Sequence, residues 1–190
     1  MAISTRLKAF LETSNVRYTV QKHPTVYTAQ EIAAAQHVSG RHLAKCVFLK
    51  TEKGFFLTVL PATHRVDFGK LKSLLGVKKI SLASEGDIKQ TFPDIDVGAM
   101  SAFGHLYNVP TLIDKALAAA EEIVCNAGTH TDTVSLRYAD FVRLAKPKVR
   151  SFGLEVTARA SSKSRAKRPI RKTSKKPPTR ARKKPTRRRR

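Results

Sequence analysis

Apolar positions recur along this chain with two periods, one near 3.6 and one near 2. Leu7, Phe10 and Leu11 stand at helical spacing behind Ser4 and Thr5, which can cap, so the pattern predicts a helix over residues 5–14. Val16 to Gln21 alternates as a strand, and His23-Pro24 then breaks it, because a proline ring disfavours helical geometry at the residue before it. Thr28 followed by Glu31 fits a capping box opening a helix over 29–37. Two β-rich runs, 44–50 and 55–60, are joined by Glu52-Lys53-Gly54, a hairpin signature. Asp67 is placed to cap a helix running to Leu75, where Gly76 stops it.

A short strand at Ile80 and Leu82 follows, then a helix opened by Ser84 and closed before Pro93. Residues 97–110 are rich in glycine and small side chains and lack a period, so they read as a structured loop. Strand patterns return at 111–113, 122–125 and 133–138, and a last helix over 139–145 ends at Lys146-Pro147. Helices and strands interleave without strict βαβ repetition. The expectation is an α/β fold: one domain over 1–150 with a mixed β-sheet surrounded by short helices.

Charge changes the picture at the C-terminus. From Arg159 to Arg190 there are 17 Lys or Arg and no Asp or Glu, out of a formal net charge of +23 for the 190 residues. The rest carries 20 basic against 14 acidic residues, an ordinary balance. Large apolar side chains almost vanish in that stretch, so residues 151–190 read as a Lys/Arg-rich tail that is disordered in isolation. Its end, with Lys183, Lys184, Arg187, Arg188, Arg189 and Arg190, suits phosphate backbones, since each neutralised phosphate releases counterions. The partners it implies are tRNA or another polyanion such as rRNA or DNA. No aromatic residue interleaves these cations, which argues against base stacking by the tail.

Composition excludes several classes. No apolar stretch approaches the roughly 18 residues of a membrane span, and Met1 to Asn15 lacks the apolar core of a signal peptide. Cys46 and Cys125 each sit inside apolar runs and read as small buried hydrophobes, consistent with a reducing, cytoplasmic location. The six histidines (His23, His37, His42, His64, His105, His130) do not show zinc-site spacing, and no P-loop, dinucleotide fingerprint or nucleophile triad is present. Neither a metal nor a cofactor is expected.

Three segments remain as candidate chemistry. Lys45 opens an otherwise apolar strand, where its ammonium must either reach water or meet a partner; the pattern leaves both open. The loop Gly98-Ala99-Met100-Ser101-Ala102-Phe103-Gly104 offers exposed backbone amides of the kind that hold a carbonyl or oxyanion, although a connecting loop reads the same way. Asn126-Ala127-Gly128-Thr129-His130-Thr131 is a polar cluster directly after a buried-looking strand, a common place for binding residues and equally for a plain turn.

Taken in order, these segments resemble the YbaK and prolyl-tRNA-synthetase-associated editing family. The likeness runs from about Val16 to Ala145. It is carried by His23-Pro24 and Thr28, Lys45-Cys46-Val47-Phe48, Leu60-Pro61-Ala62, Gly98 to Gly104, Val109-Pro110 and Ile113-Asp114. It closes with Ala127-Gly128-Thr129-His130 ahead of Tyr138-Ala139-Asp140-Phe141.

The resemblance implies a YbaK-like fold and a deacylase that cleaves the ester between a small amino acid and the terminal adenosine of tRNA. It gives Lys45 the polarising role near the ester or phosphate, and Gly98 backbone contacts to the aminoacyl group. Ser101, Thr28, Gly128 and His130 fall beside the substrate. Water or the substrate's own ribose hydroxyl then does the proton work. One position departs from the family pattern: Ala102 stands where the loop often carries proline, which bears on amino-acid specificity. A second reading is a non-catalytic nucleic-acid-binding protein on the same fold, working through its cationic tail. A third is a regulator that binds free amino acid or nucleotide.

Overall fold

The structure is a computed structural model, which describes residues 3–156. In chain order the elements are α1 (Thr5–Thr13), β1 (Tyr18–Lys22), α2 (Ala29–Ala35), β2 (Ala44–Thr51), β3 (Gly54–Pro61), β4 (His64–Val66) and α3 (Phe68–Leu75). They continue with β5 (Ile80–Leu82), α4 (Glu85–Thr91), β6 (Thr111–Asp114), β7 (Glu122–Asn126), β8 (Asp132–Arg137), α5 (Tyr138–Ala145), β9 (Lys148–Arg150) and β10 (Gly153–Glu155). Short 3-10 turns occupy Gly104–Tyr107 and Lys115–Ala119.

The helix signals act where the side-chain pattern put them. Thr28 and Glu31 exchange both capping-box bonds at the start of α2, and Ser84 and Asp87 do the same at α4. Asp67 caps α3 through the Lys70 amide, and Gly76 ends it in the left-handed conformation.

The strands divide into a five-stranded mixed sheet in the order β5-β2-β3-β6-β9, a three-stranded antiparallel sheet β1-β8-β7, and the pair β10-β4. Within the mixed sheet, β3–β6 and β6–β9 are parallel and the other pairings antiparallel. A single parallel bridge, Leu43 to Val124, joins the start of β2 to β7. That bridge seats the two sheets edge to edge at the strand carrying Lys45.

The main core lies on the β2 face that presents Ala44 and Phe48, with Ile123 and Cys125 from β7 and Leu7 and Leu11 from α1. Phe103 anchors it, edge-on to both Phe10 and Phe141 at 5.9 and 5.3 Å between ring centres. On the opposite face of this strand pair, Leu43 and Val124 pack with Ala62 and with Ile32 and Ala33 of α2.

The chain stays in the folded body past residue 151, where sequence composition sets the tail. Phe152 is fully buried. The buried Asp114 carboxylate accepts the Phe152 amide at 2.7 Å and also the Gly153 amide, and β10 then pairs antiparallel with β4. The tail residues from 157 onwards, including Lys183, Lys184 and Arg187 to Arg190, lie outside the described residues.

Candidate functional site

β2 and β7 run in the same direction from the Leu43–Val124 bridge. Two residues along each strand stand Lys45 and Asn126. Because side chains alternate, both return to the face shared by Leu43 and Val124, the α2 side. The same alternation turns Cys46 and Cys125 to the main core. There burial pushes the Cys46 thiol well up and the Cys125 thiol up to about 11, so neither is poised as a thiolate.

Lys45 is half-buried between Ala44 and Cys46. Among the described residues it has no carboxylate within ion-pair distance, since none of the six salt bridges includes it. Burial alone holds its ammonium below the ordinary lysine range. Of the two fates the sequence left open, the structure shows an ammonium that is neither fully solvated nor neutralised.

The 97–104 loop forms the adjoining wall. Gly98 adopts φ +94°, a region L side chains rarely enter, and its carbonyl accepts the Asn126 side-chain amide at a long 3.5 Å. The Val97 carbonyl accepts from His130 Nε2 at 3.0 Å. A carbonyl can only accept, so Nε2 carries the proton, and a neutral His130 keeps Nδ1 free as an acceptor. The His130 ring meets the exposed ring of Tyr27 at 4.8 Å, and its carbonyl accepts the Val26 amide at 3.3 Å.

Gly128 holds the turn that carries His130. Its φ is +104°, a Cβ would lie 2.8 Å from Ser4 Cβ, and its carbonyl accepts the Asp96 amide at 2.9 Å. Gly98 and the Gly128–His130 turn thus meet, and Asn126 links them to the strand that runs beside Lys45. A cleft of about 630 Å³ is lined by Gly128 and His130 of this turn together with Asp94, Asp96, Thr129 and Thr131. Its carboxylates make it a poor home for a phosphate.

Two expected residues stand differently. Ser101 is buried at 3 % exposure, beneath the loop rather than on its surface. The Thr28 oxygen is engaged as the cap of α2, accepting the Glu31 amide at 3.2 Å. Ala102, the departure from the family pattern, is wholly buried, and its amide donates to the Cys125 thiol, a bond a proline could not make.

Tyr27 was not singled out from the sequence, and Asn126 entered only as the first residue of the polar cluster, without a role. Asn126 carries a weak signal, as the first polar residue after the apolar run of β7. Tyr27 carries none beyond its position before a cap. Among the described residues no group of three metal-ligating side chains assembles.

Residues 23–144 match the family model of the aminoacyl-tRNA editing domain. The prolyl-tRNA editing protein ProX of Acetoanaerobium sticklandii is 29% identical over 150 residues, 76% of this chain and 91% of that protein. The multifunctional Ser/Thr-tRNA deacylase ProXp-y of Escherichia coli strain K12 is 26% identical over 152 residues, 77% of this chain and 90% of that protein. The proline–tRNA ligase of Thermosipho melanesiensis matches over 94 residues at 27% identity, half of this chain but 16% of the ligase. In fold the chain superposes with a TM-score of 0.72 on a solved structure described provisionally as a trans-editing enzyme for prolyl tRNA synthetase. That match is 22% identical and covers 80% of this chain and 96% of the other.

Proposed function

Since this chain belongs to the aminoacyl-tRNA editing domain family, we propose that it hydrolyses the ester joining a small amino acid to the terminal adenosine of tRNA, acting in trans on mischarged tRNA. The names of its relatives, an editing protein and a Ser/Thr-tRNA deacylase that each align over about nine-tenths of their length, support the reaction class.

The observation that carries the proposal is Lys45. It is a half-buried ammonium without a carboxylate partner, level with Asn126 and beside the positive-φ loop at Gly98. An aminoacyl ester is already activated, so hydrolysis needs positioning and a field that favours the developing oxyanion. An unneutralised ammonium in partly water-excluded surroundings supplies that field more strongly than one in bulk water. The loop's backbone supports a second set of contacts to the aminoacyl carbonyl. Water attacks the carbonyl carbon, the neighbouring ribose hydroxyl relays its proton, and that proton passes to the ribose oxygen that leaves as the ester C–O bond breaks.

Tyr27, exposed against His130, offers a ring face to the terminal base. A second sieve of this kind is useful because a single pocket separates neighbours differing by one methylene by only about 1–3 kcal/mol. The tail adds sequence-independent attraction to RNA, carrying 17 of the chain's 37 basic residues.

The direct test offers wild type and Lys45→Ala a panel of tRNAs charged with alanine, serine, cysteine, threonine or proline. One or two esters should be lost rapidly with wild type. Lys45→Ala should slow that loss by about 10² or more, the scale of removing one positioned electrostatic group. Stability of every ester, together with tight salt-sensitive RNA binding, would transfer the protein to the reading in which it binds nucleic acid without catalysis.

A further inference from the structure

Asn126 carries a feature that its place in the strand does not explain. Its side-chain nitrogen donates to the Gly98 carbonyl, yet Oδ1 is buried and meets no donor. The amide cannot be turned around to cure this, since the reversed orientation would press Oδ1 against the Gly98 carbonyl, acceptor against acceptor. A buried acceptor left unmade is costly enough that each instance calls for a reason. The strand register sets Lys45 beside it, on the same face and at the same level, and the lysine makes no ion pair among the described residues.

We infer that Asn126 is the positioning residue for Lys45. Its nitrogen ties down the Gly98 loop, and its oxygen is the acceptor for the lysine ammonium. This rests on the editing reading and deepens it.

The choice of an amide over a carboxylate has a physical consequence. A carboxylate at this position would orient the ammonium equally well but would cancel its field. A neutral acceptor fixes direction and leaves the full positive charge for the ester. The titratable groups on the same side are Tyr27 and His130, with His42 and Glu122 farther along the face, where they line a cleft with Val124. The His130 Nε2 proton is already given to Val97, and Glu31 of α2 turns back onto Thr28. Cys46 and Cys125 face the main core, and the β3 residue paired with Lys45 is Leu60.

The experiment uses the full chain and reads Lys45 directly. The pH dependence of Lys45 reductive methylation, followed by peptide mass spectrometry, is measured for wild type, Asn126→Ala and the isosteric Asn126→Asp. Deacylation kcat and KM are measured beside it. With Asn126→Asp the midpoint of methylation should rise by about one pH unit or more, as an opposite charge within a few ångströms requires. Its kcat should fall about tenfold while KM holds. With Asn126→Ala the midpoint should move down, and kcat should again fall with KM little changed. An unmoved midpoint in both variants overturns the inference, whatever happens to activity. Shifted midpoints in a protein that deacylates none of the panel uphold the pairing and overturn the editing reading, so the two failures are distinct.

Discussion

Gly98→Ala tests whether the loop's backbone shape, and not merely its presence, makes the site. The substitution adds one methyl group at φ +94°, and the space for it exists: the nearest atom to a Cβ there is His130 Cε1 at 3.5 Å, an ordinary contact. The cost is therefore conformational, about 1–2 kcal/mol for an L residue held in left-handed backbone. In a body of this size that lowers the melting temperature by about 2 to 8 °C.

The chain can escape the strain by rotating the peptides on either side of residue 98. Those peptides carry the carbonyls of Val97 and Gly98, which hold His130 and Asn126. Relief of strain thus moves the groups around Lys45, and a displacement near 1 Å costs about 10²-fold in rate. Gly54→Ala is the matched control. Gly54 has φ +112° with nothing within 4 Å of a Cβ, and it lies in the β2–β3 hairpin turn, outside the site. Both variants should lose similar stability by thermal melting, and only Gly98→Ala should lose kcat/KM. Wild-type deacylation by a Gly98→Ala protein as destabilised as Gly54→Ala would refute the role given to this loop. No loss of stability in either would refute the strain argument itself.

Two further outcomes follow from the chain. A protein ending at Ala158 should lose about tenfold in kcat/KM at low salt, with the deficit closing as salt rises, because the tail's attraction is counterion release; an equal kcat/KM at every salt concentration would remove the tail from tRNA capture. Hydrogen bonds from the Ser84 hydroxyl and amide, with Lys50 beside them, hold Asp87 down from an ordinary 3.8 to about 2. A depressed carboxyl stabilises fully above its ordinary value and loses that effect as pH falls through the lowered one. Asp87→Asn should therefore melt below wild type at pH 6, with the gap closing between about pH 4 and 2; a gap constant over that window would show that Asp87's charge is not what caps α4.

Local chemistry was legible along the chain wherever a residue acts on its near neighbours. The caps at Thr28, Asp67 and Ser84, the stop at Gly76 and the hairpin after Glu52 each depend on groups within about four residues, so order in sequence is enough to find them. The basic tail was a matter of composition alone. Candidate residues Lys45, Gly98, Gly128 and His130 came from ordered motifs, and the fold sets Gly98 against His130.

What only the tertiary structure decided depends on partners far along the chain. β10 and the end of the body are held by Asp114, 38 residues before Phe152, and composition had set the tail's start within this stretch. Ser101 reads as a loop residue, yet the anchoring of Phe103 in the aromatic core draws that part of the loop inward and buries it. Asn126 acquires its meaning from one parallel bridge between β2 and β7, strands separated by about 70 residues and by most of the fold. A capping motif carries its partner inside itself, whereas Lys45 and Asn126 come to share one face only when two strands are laid side by side. That placement is set by burial of the whole core and is written in no single stretch of sequence.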